Sequence, residues 1–140
     1  MNILCVADGS DDGYESASLF ARIVDPRQVS KITIILIAWP PRKSVIWSKA
    51  NDAWLQEDDL HEAVEVVIER ELERYRSAFA GHAESIEATS TDGDPVVRVI
   101  ECAGEMHADM ILLAITRDEP EIEQSASEIV AKSPIPVFVA

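Results

Sequence analysis

The chain has 140 residues, 47% of them hydrophobic and 27% charged, and 12 basic against 26 acidic side chains leave a formal net charge of −14. That length fits one domain with its own core over residues 1–140, and that balance excludes an intrinsically disordered chain. The acidity opposes binding to nucleic acid phosphates or to an anionic membrane surface, and no apolar run reaches membrane-spanning length.

Asn2–Ala7 (NILCVA) reads as a short buried strand that stops at Asp8-Gly9-Ser10, a tight turn. No basic segment precedes this apolar run, so no secretory leader is expected and the chain is expected in the cytoplasm. Ser10, Asp11 and Asp12 offer caps for a helix whose buried stripe is Tyr14, Ala17, Phe20 or Ala21, and Val24; Asp25-Pro26 end it. Lys31–Ala38 (KITIILIA) is β-branched and apolar throughout, as a strand covered on both faces must be. Trp39-Pro40-Pro41 stop it.

From Arg42 to Glu57 no period is sustained, although Trp47, Ala50 and Trp54 would share one face of a short helix. Tryptophans are enriched at protein interfaces, which makes Trp47 and Trp54 a candidate partner patch. Asp58-Asp59 begin the longest helical pattern: Leu60, Val64, Val67, Ile68, Leu72, Tyr75 and Phe79 recur at three and four, opposite a Glu- and Arg-rich face expected to be solvated. Gly81 ends it. Ser85–Ser90 (SIEATS) alternates, as a half-exposed strand near a sheet edge does.

Gly93 then supplies a turn, Asp94 an N-cap oxygen, and Pro95 the first helical position, where its missing N–H costs nothing. Val96, Val99, Ile100 and Ala103 recur at helical spacing. Ala108-Asp109 reset the chain before Met110-Ile111-Leu112-Leu113, a second strand apolar on both faces. Thr116–Pro120 is a polar turn. Ile122, Ala126, Ile129 and Val130 pattern a last helix closed by Ser133-Pro134, and Ile135–Ala140 is a final short strand. Strands alternating with helices imply right-handed crossovers and a parallel sheet between two helical layers.

Few residues suggest chemistry. Cys5 and Cys102 are far apart, with neither disulfide nor zinc spacing; Cys5 should be an inert buried thiol and Cys102 a small core residue. His61, His82 and His107 show no metal-ligand spacing, and Ser10 and Ser125 lack an evident His–Asp pair, so no metal, catalytic residue or enzymatic activity is expected.

Five pieces, in their order and spacing, resemble the universal stress protein family over nearly the whole chain: Val6-Ala7-Asp8-Gly9-Ser10, Ile32–Ala38, Gly93-Asp94-Pro95, Ala108-Asp109-Met110-Ile111-Leu112 and Ser133-Pro134-Ile135-Pro136-Val137. The resemblance implies an open, twisted, five-stranded parallel sheet of order 3-2-1-4-5 with helices on both faces, a homodimer, and a role under stress. It would place Val137-Phe138-Val139 on a sheet edge, where unpaired N–H and C=O groups invite the same strand of a second copy.

One branch of that family binds ATP with a loop after the fourth strand: glycine, two residues, glycine, nine residues, then glycine followed by Ser or Thr. Here Ala114-Ile115-Thr116-Arg117 stands where the first two glycines would be, Asp118–Glu123 is shorter than the family loop, and the third glycine falls on Glu123 or Gln124. Without glycine the backbone cannot approach phosphates closely, and a carboxylate would repel them. The resemblance therefore assigns Asp8, Ile37, Leu113, Ala114 and Arg117 to a degenerate nucleotide site, with ATP and AMP disfavoured and no cofactor expected. Asp8 also reads as a cap for its own turn.

The expected function is a stress-response regulatory or protective module that acts through homodimer and protein-partner contacts. The alternatives are a nucleotide-responsive switch or slow ATP hydrolase with a rearranged site, or a related fold holding a different ligand near Asp8 and Ala114.

Overall fold

The strands that are apolar on both faces become the middle of a sheet. The computed structural model describes residues 1–37, 45–53, 60–91, 93–116 and 118–139, except for the side chains of 47, 51–53 and 60–63. Five parallel strands, β1 (Asn2–Ala7), β2 (Lys31–Ile37), β3 (Ser85–Thr91), β4 (Met110–Ala114) and β5 (Val137–Val139), lie in the order β3-β2-β1-β4-β5. Between them run α1 (Asp11–Ile23), α2 (Val45–Ala53), α3 (Leu60–Phe79), α4 (Pro95–Glu105) and α5 (Pro120–Lys132). A single 3-10 turn, Pro26–Gln28, follows α1.

Alternation along each strand builds two cores. Ile3, Cys5, Ala7, Ile32, Ile34, Leu36, Leu112 and Ala114 face Ala17 and Phe20 of α1, Ile46 and Ala50 of α2, and Tyr75 and Phe79 of α3. Leu4, Val6, Ile35, Ile37, Ile111 and Leu113 face Val96 and Val99 of α4 and Ile129 of α5. Each buried Ile, Leu, Val or Phe among them contributes roughly 1.5–3 kcal/mol, which is what fixes the register of the central strands.

Several expectations need correction. The long helix does not solvate all its acidic residues: Glu71 is 3% exposed, because α2 covers it and supplies a cation. Val130 is 51% exposed, since at 100° per residue it cannot share the core with Ile129. Cys102 is only half-buried. The last strand pairs over three residues only, and the proline donors missing at 134 and 136 agree with that short ladder. The second strand is described as far as Ile37, and Ala38 lies outside the described residues. The short helix that Trp47 and Ala50 suggested is α2, while the side chain of Trp47 and all of Trp54 lie outside the described residues, as do Trp39 and Arg117.

Candidate functional site

In an open α/β sheet, ligands lodge beyond the carboxyl ends of the strands where the strand order reverses. Here that point lies between β1 and β4. The register pairs Ala7 with Ala114, so Asp8 and Ile115 leave the sheet side by side.

Asp8 ties the two departing chains together. Its Oδ1 accepts from the Ser10 backbone N–H at 3.0 Å and from the Ser10 hydroxyl at 2.6 Å, while Oδ2 accepts from the Thr116 N–H at 2.8 Å. The Ser10 Oγ accepts in turn from the Gly13 N–H at 3.1 Å and so caps α1, and the Thr116 Oγ1 accepts from the Asp118 N–H at 3.2 Å. Asp8 is 4% exposed. Burial pushes its carboxyl above the usual carboxylate range, although the three donors pull the other way.

Two glycines make this close approach possible. Gly9 adopts φ +82, and a Cβ there would stand 2.7 Å from the Ile46 Cδ1. A Cβ on Gly13 would stand 2.5 Å from the Ala114 carbonyl oxygen, so only glycine lets the first turn of α1 lie against the end of β4. On this side a charge cluster locks three helices. Glu71 accepts from the Lys49 ammonium at 2.7 Å, Arg74 donates to Glu71 at 3.4 Å and to Asp11 at 2.9 Å, and the Arg74 guanidinium stacks 3.9 Å above the Tyr14 ring. Glu71 stands four residues from both Val67 and Tyr75, on the apolar stripe of α3.

The opposite side of the crevice is hollow. Asp8, Ile37 and Leu113 line it together with Val6, Ile115, Ile122 and Ile129, around a space of about 30 Å³. Of the positions named from the sequence, Asp8, Ile37 and Leu113 thus meet, while Ala114 packs its side chain on the α1 side. A second hollow of about 240 Å³ adjoins it through Pro95 and Ser125 and is lined by Asp94, Glu121, Gln124 and Glu128. A third, of about 560 Å³, lies on the β5 side of α5, between Thr116, Glu123, Val130 and Val139. Sequence reasoning missed Pro95, Ser125 and Ala126 as lining residues; their signal is only that they occupy the turns of α4 and α5 nearest the strand ends.

Among the described residues no three His, Cys, Asp or Glu side chains converge as metal ligands, and no helix is long and apolar enough to cross a membrane. Burial pushes the Cys5 thiol up to about 12.

Comparison with known proteins agrees with the architecture. Residues 1–140 match the universal stress protein family. The chain is similar to the universal stress protein UspA from Lactobacillus plantarum, at 18% identity over 99% of this chain and 96% of that one, with a TM-score of 0.65. It is similar to the Archaeoglobus fulgidus universal stress protein in complex with dAMP, at 18% identity, 99% and 96% coverage, and a TM-score of 0.58. It is also similar to an Arabidopsis thaliana universal stress protein family protein with AMP bound, at 13% identity, 99% and 90% coverage, and a TM-score of 0.63. At these identities the likeness speaks for the fold. None of the curated proteins matches.

Proposed function

The chain belongs to the universal stress protein family, and we propose that it is a member that does not hold ATP well and works as a stress-response module through a homodimer and protein contacts, without catalysis. The observation that carries this is the room beside Asp8. About 30 Å³ is a fraction of the roughly 150 Å³ of a cavity that takes benzene, so a purine would have to lie in the adjoining hollows and not directly beside Asp8. Glu119, Glu121 and Glu123 gather at the start of α5, where the family's phosphates would lie, and raise the cost of an anion.

For assembly, the supporting facts are the edge position of β5 and its exposure. Phe138 is 40% and Val139 49% exposed, while Val137 is half-buried. An antiparallel pair across a two-fold axis would cover them.

A second reading, a nucleotide-responsive switch with a rearranged site, is favoured by one fact: Asp8, Ile37 and Leu113 line a single hollow, in a fold whose relatives have been seen with dAMP or AMP. Isothermal titration with magnesium and ATP, repeated with AMP, separates the two. Binding no tighter than millimolar is expected; a micromolar dissociation constant abolished by Asp8→Ala would establish the switch. Light scattering should give a dimer mass, lost on Val139→Pro; a monodisperse monomer would remove the dimer.

A further inference from the structure

On each side of the sheet the helices leave one edge strand uncovered, and the two bare faces differ in kind. Helices pack about 8–10 Å apart and strands lie about 4.8 Å apart, so one helix covers about two strands. The core beneath α4 and α5 draws on β1, β2, β4 and Val137 of β5, which leaves β3. There the exposed side chains are Glu87 and Thr89, and Glu87 pairs with Lys31 at 3.1 Å, as on any solvated face. On the opposite side α3 lies over β2 and β3 and α1 over β1 and β4, which leaves β5.

This second bare face is apolar. Phe138 pairs in register with Leu112, which faces α1, so its ring lies on the α1 side. It meets Phe20 at a centroid distance of 5.4 Å and is still 40% exposed. The flank of α1 beside it matches. At about 100° per residue, Tyr14 lies about 120° round the helix from Phe20, while Ile23 and Leu19 lie about 60° and 100° round it the other way. Tyr14 packs edge-on against Tyr75 of α3, so Leu19 and Ile23 look away from α3, toward β5. They are 51% and 64% exposed. Contiguous apolar surface of this kind marks an interaction site.

Phe138, Leu19 and Ile23 form a shelf about half a helix wide, open along the β5 edge. Antiparallel pairing of β5 with the same strand of a second copy sets two such shelves side by side. The two α1 helices then stand four strand spacings apart, roughly 19 Å, which leaves room for one more helix at ordinary packing distance from each. We propose that the paired copies bind one amphipathic α-helix of a partner protein in this slot, its apolar face on Phe138, Leu19 and Ile23 of both copies. The inference rests on the β5 pairing proposed above. With 13 residues in α1, the slot takes a helix of about 20 Å. Each rim presents Asp12 and Glu15 against Arg22, in a chain of net charge −14, so the partner helix carries lysine or arginine beside its apolar stripe.

The test titrates the intact protein in about 0.15 M salt, where the general pull of its charge is damped. The probe is a capped synthetic peptide of about four helical turns, with leucines on one face and lysines on the rest; the control has the same composition in scrambled order. Calorimetry should give one peptide per two chains, and the scrambled peptide should bind at least about ten-fold more weakly. Leu19→Gln and Ile23→Gln together should leave the dimer mass unchanged in light scattering and weaken the helical peptide by about ten-fold or more. Val66→Gln and Val97→Gln together, at similarly exposed positions on α3 and α4, should bind as the unaltered chain does. One peptide per chain, equal binding of the scrambled peptide, full binding by the Leu19→Gln, Ile23→Gln protein, or a like loss in the Val66→Gln, Val97→Gln protein would each overturn the slot. A monomer mass for the unaltered chain would overturn the pairing and the slot with it, whereas a dimer that does not bind the peptide overturns the slot alone.

Discussion

Replacing Gly13 by alanine tests how tightly α1 is held against the switch point. In an exposed helix the change stabilises by up to about 1 kcal/mol, because glycine loses more backbone entropy on folding. At Gly13 the new Cβ would meet the Ala114 carbonyl oxygen at 2.5 Å, the Ser10 Oγ at 2.7 Å and the Ala114 carbonyl carbon at 3.0 Å. A carbon rests against a carbonyl oxygen at roughly 3.3 Å or more, so helix and strand end must part by most of an ångström. Neither group is the far end of a flexible side chain. Overpacking of this kind costs about 1–3 kcal/mol, and loss of the Ser10 cap adds about 1 kcal/mol. A net loss of about 1–3 kcal/mol is therefore expected. Gly104, in α4, is the internal control: a Cβ there meets nothing within 4 Å, so Gly104→Ala should gain up to about 1 kcal/mol. At roughly 4 °C per kcal/mol for a chain of this size, calorimetry should separate the two midpoints by about 4–16 °C. The Thr116 amide should shift in the Gly13 variant alone. Equal or greater stability of Gly13→Ala would show that α1 does not depend on this contact.

Asp94→Ala should cost about 1 kcal/mol in urea unfolding, since its carboxylate accepts from the first N–H groups of α4; an unchanged midpoint would mean that solvent caps the helix equally well. With the Cys5 thiol pushed up to about 12, labelling of the folded protein at pH 8 should reach Cys102 and spare Cys5 until denaturant is added; rapid labelling of both would contradict a closed β1. The Asp8 carboxyl is raised from 3.8 by burial, and an acid that binds its proton more tightly when folded loses its contribution as pH rises through the raised value. The stability of the wild type minus that of Asp8→Asn should therefore fall with rising pH across that acid window, and a difference that is flat or increases would refute the desolvation argument.

Much of the architecture was legible because single residue types carried it. Ile32–Leu36 has no polar alternation, which only a strand covered on both faces tolerates, and SIEATS alternates because β3 has one open face. Asp94-Pro95 fixed the start of α4 through the geometry of a cap and a first-turn proline. The misreadings have one cause: a helical stripe says which residues could face a neighbour, not which neighbour is there. Glu71 was assigned to solvent because glutamate ordinarily belongs there, and its burial needs Lys49 from a helix more than twenty residues earlier, at 2.7 Å. Val130 extended an apolar pattern past the angle that the core subtends.

The candidate site was legible in its residues and not in its volume. Asp8 follows the last residue of β1, Ile37 is the last described residue of β2 and Leu113 the next to last of β4, and a parallel sheet necessarily brings such ends together. Whether a purine fits between them depends on how near α5 lies to the sheet. That distance follows from Ile122 and Ile129 packing down on Leu113 and Ile37, a long-range fit with no local signature. The same logic separates the two roles of Asp8. The turn needs one carboxylate oxygen for Ser10 and one for Thr116, so the residue would be required here even if nothing bound beside it. An aspartate at the end of the first strand is consequently weak evidence for a nucleotide.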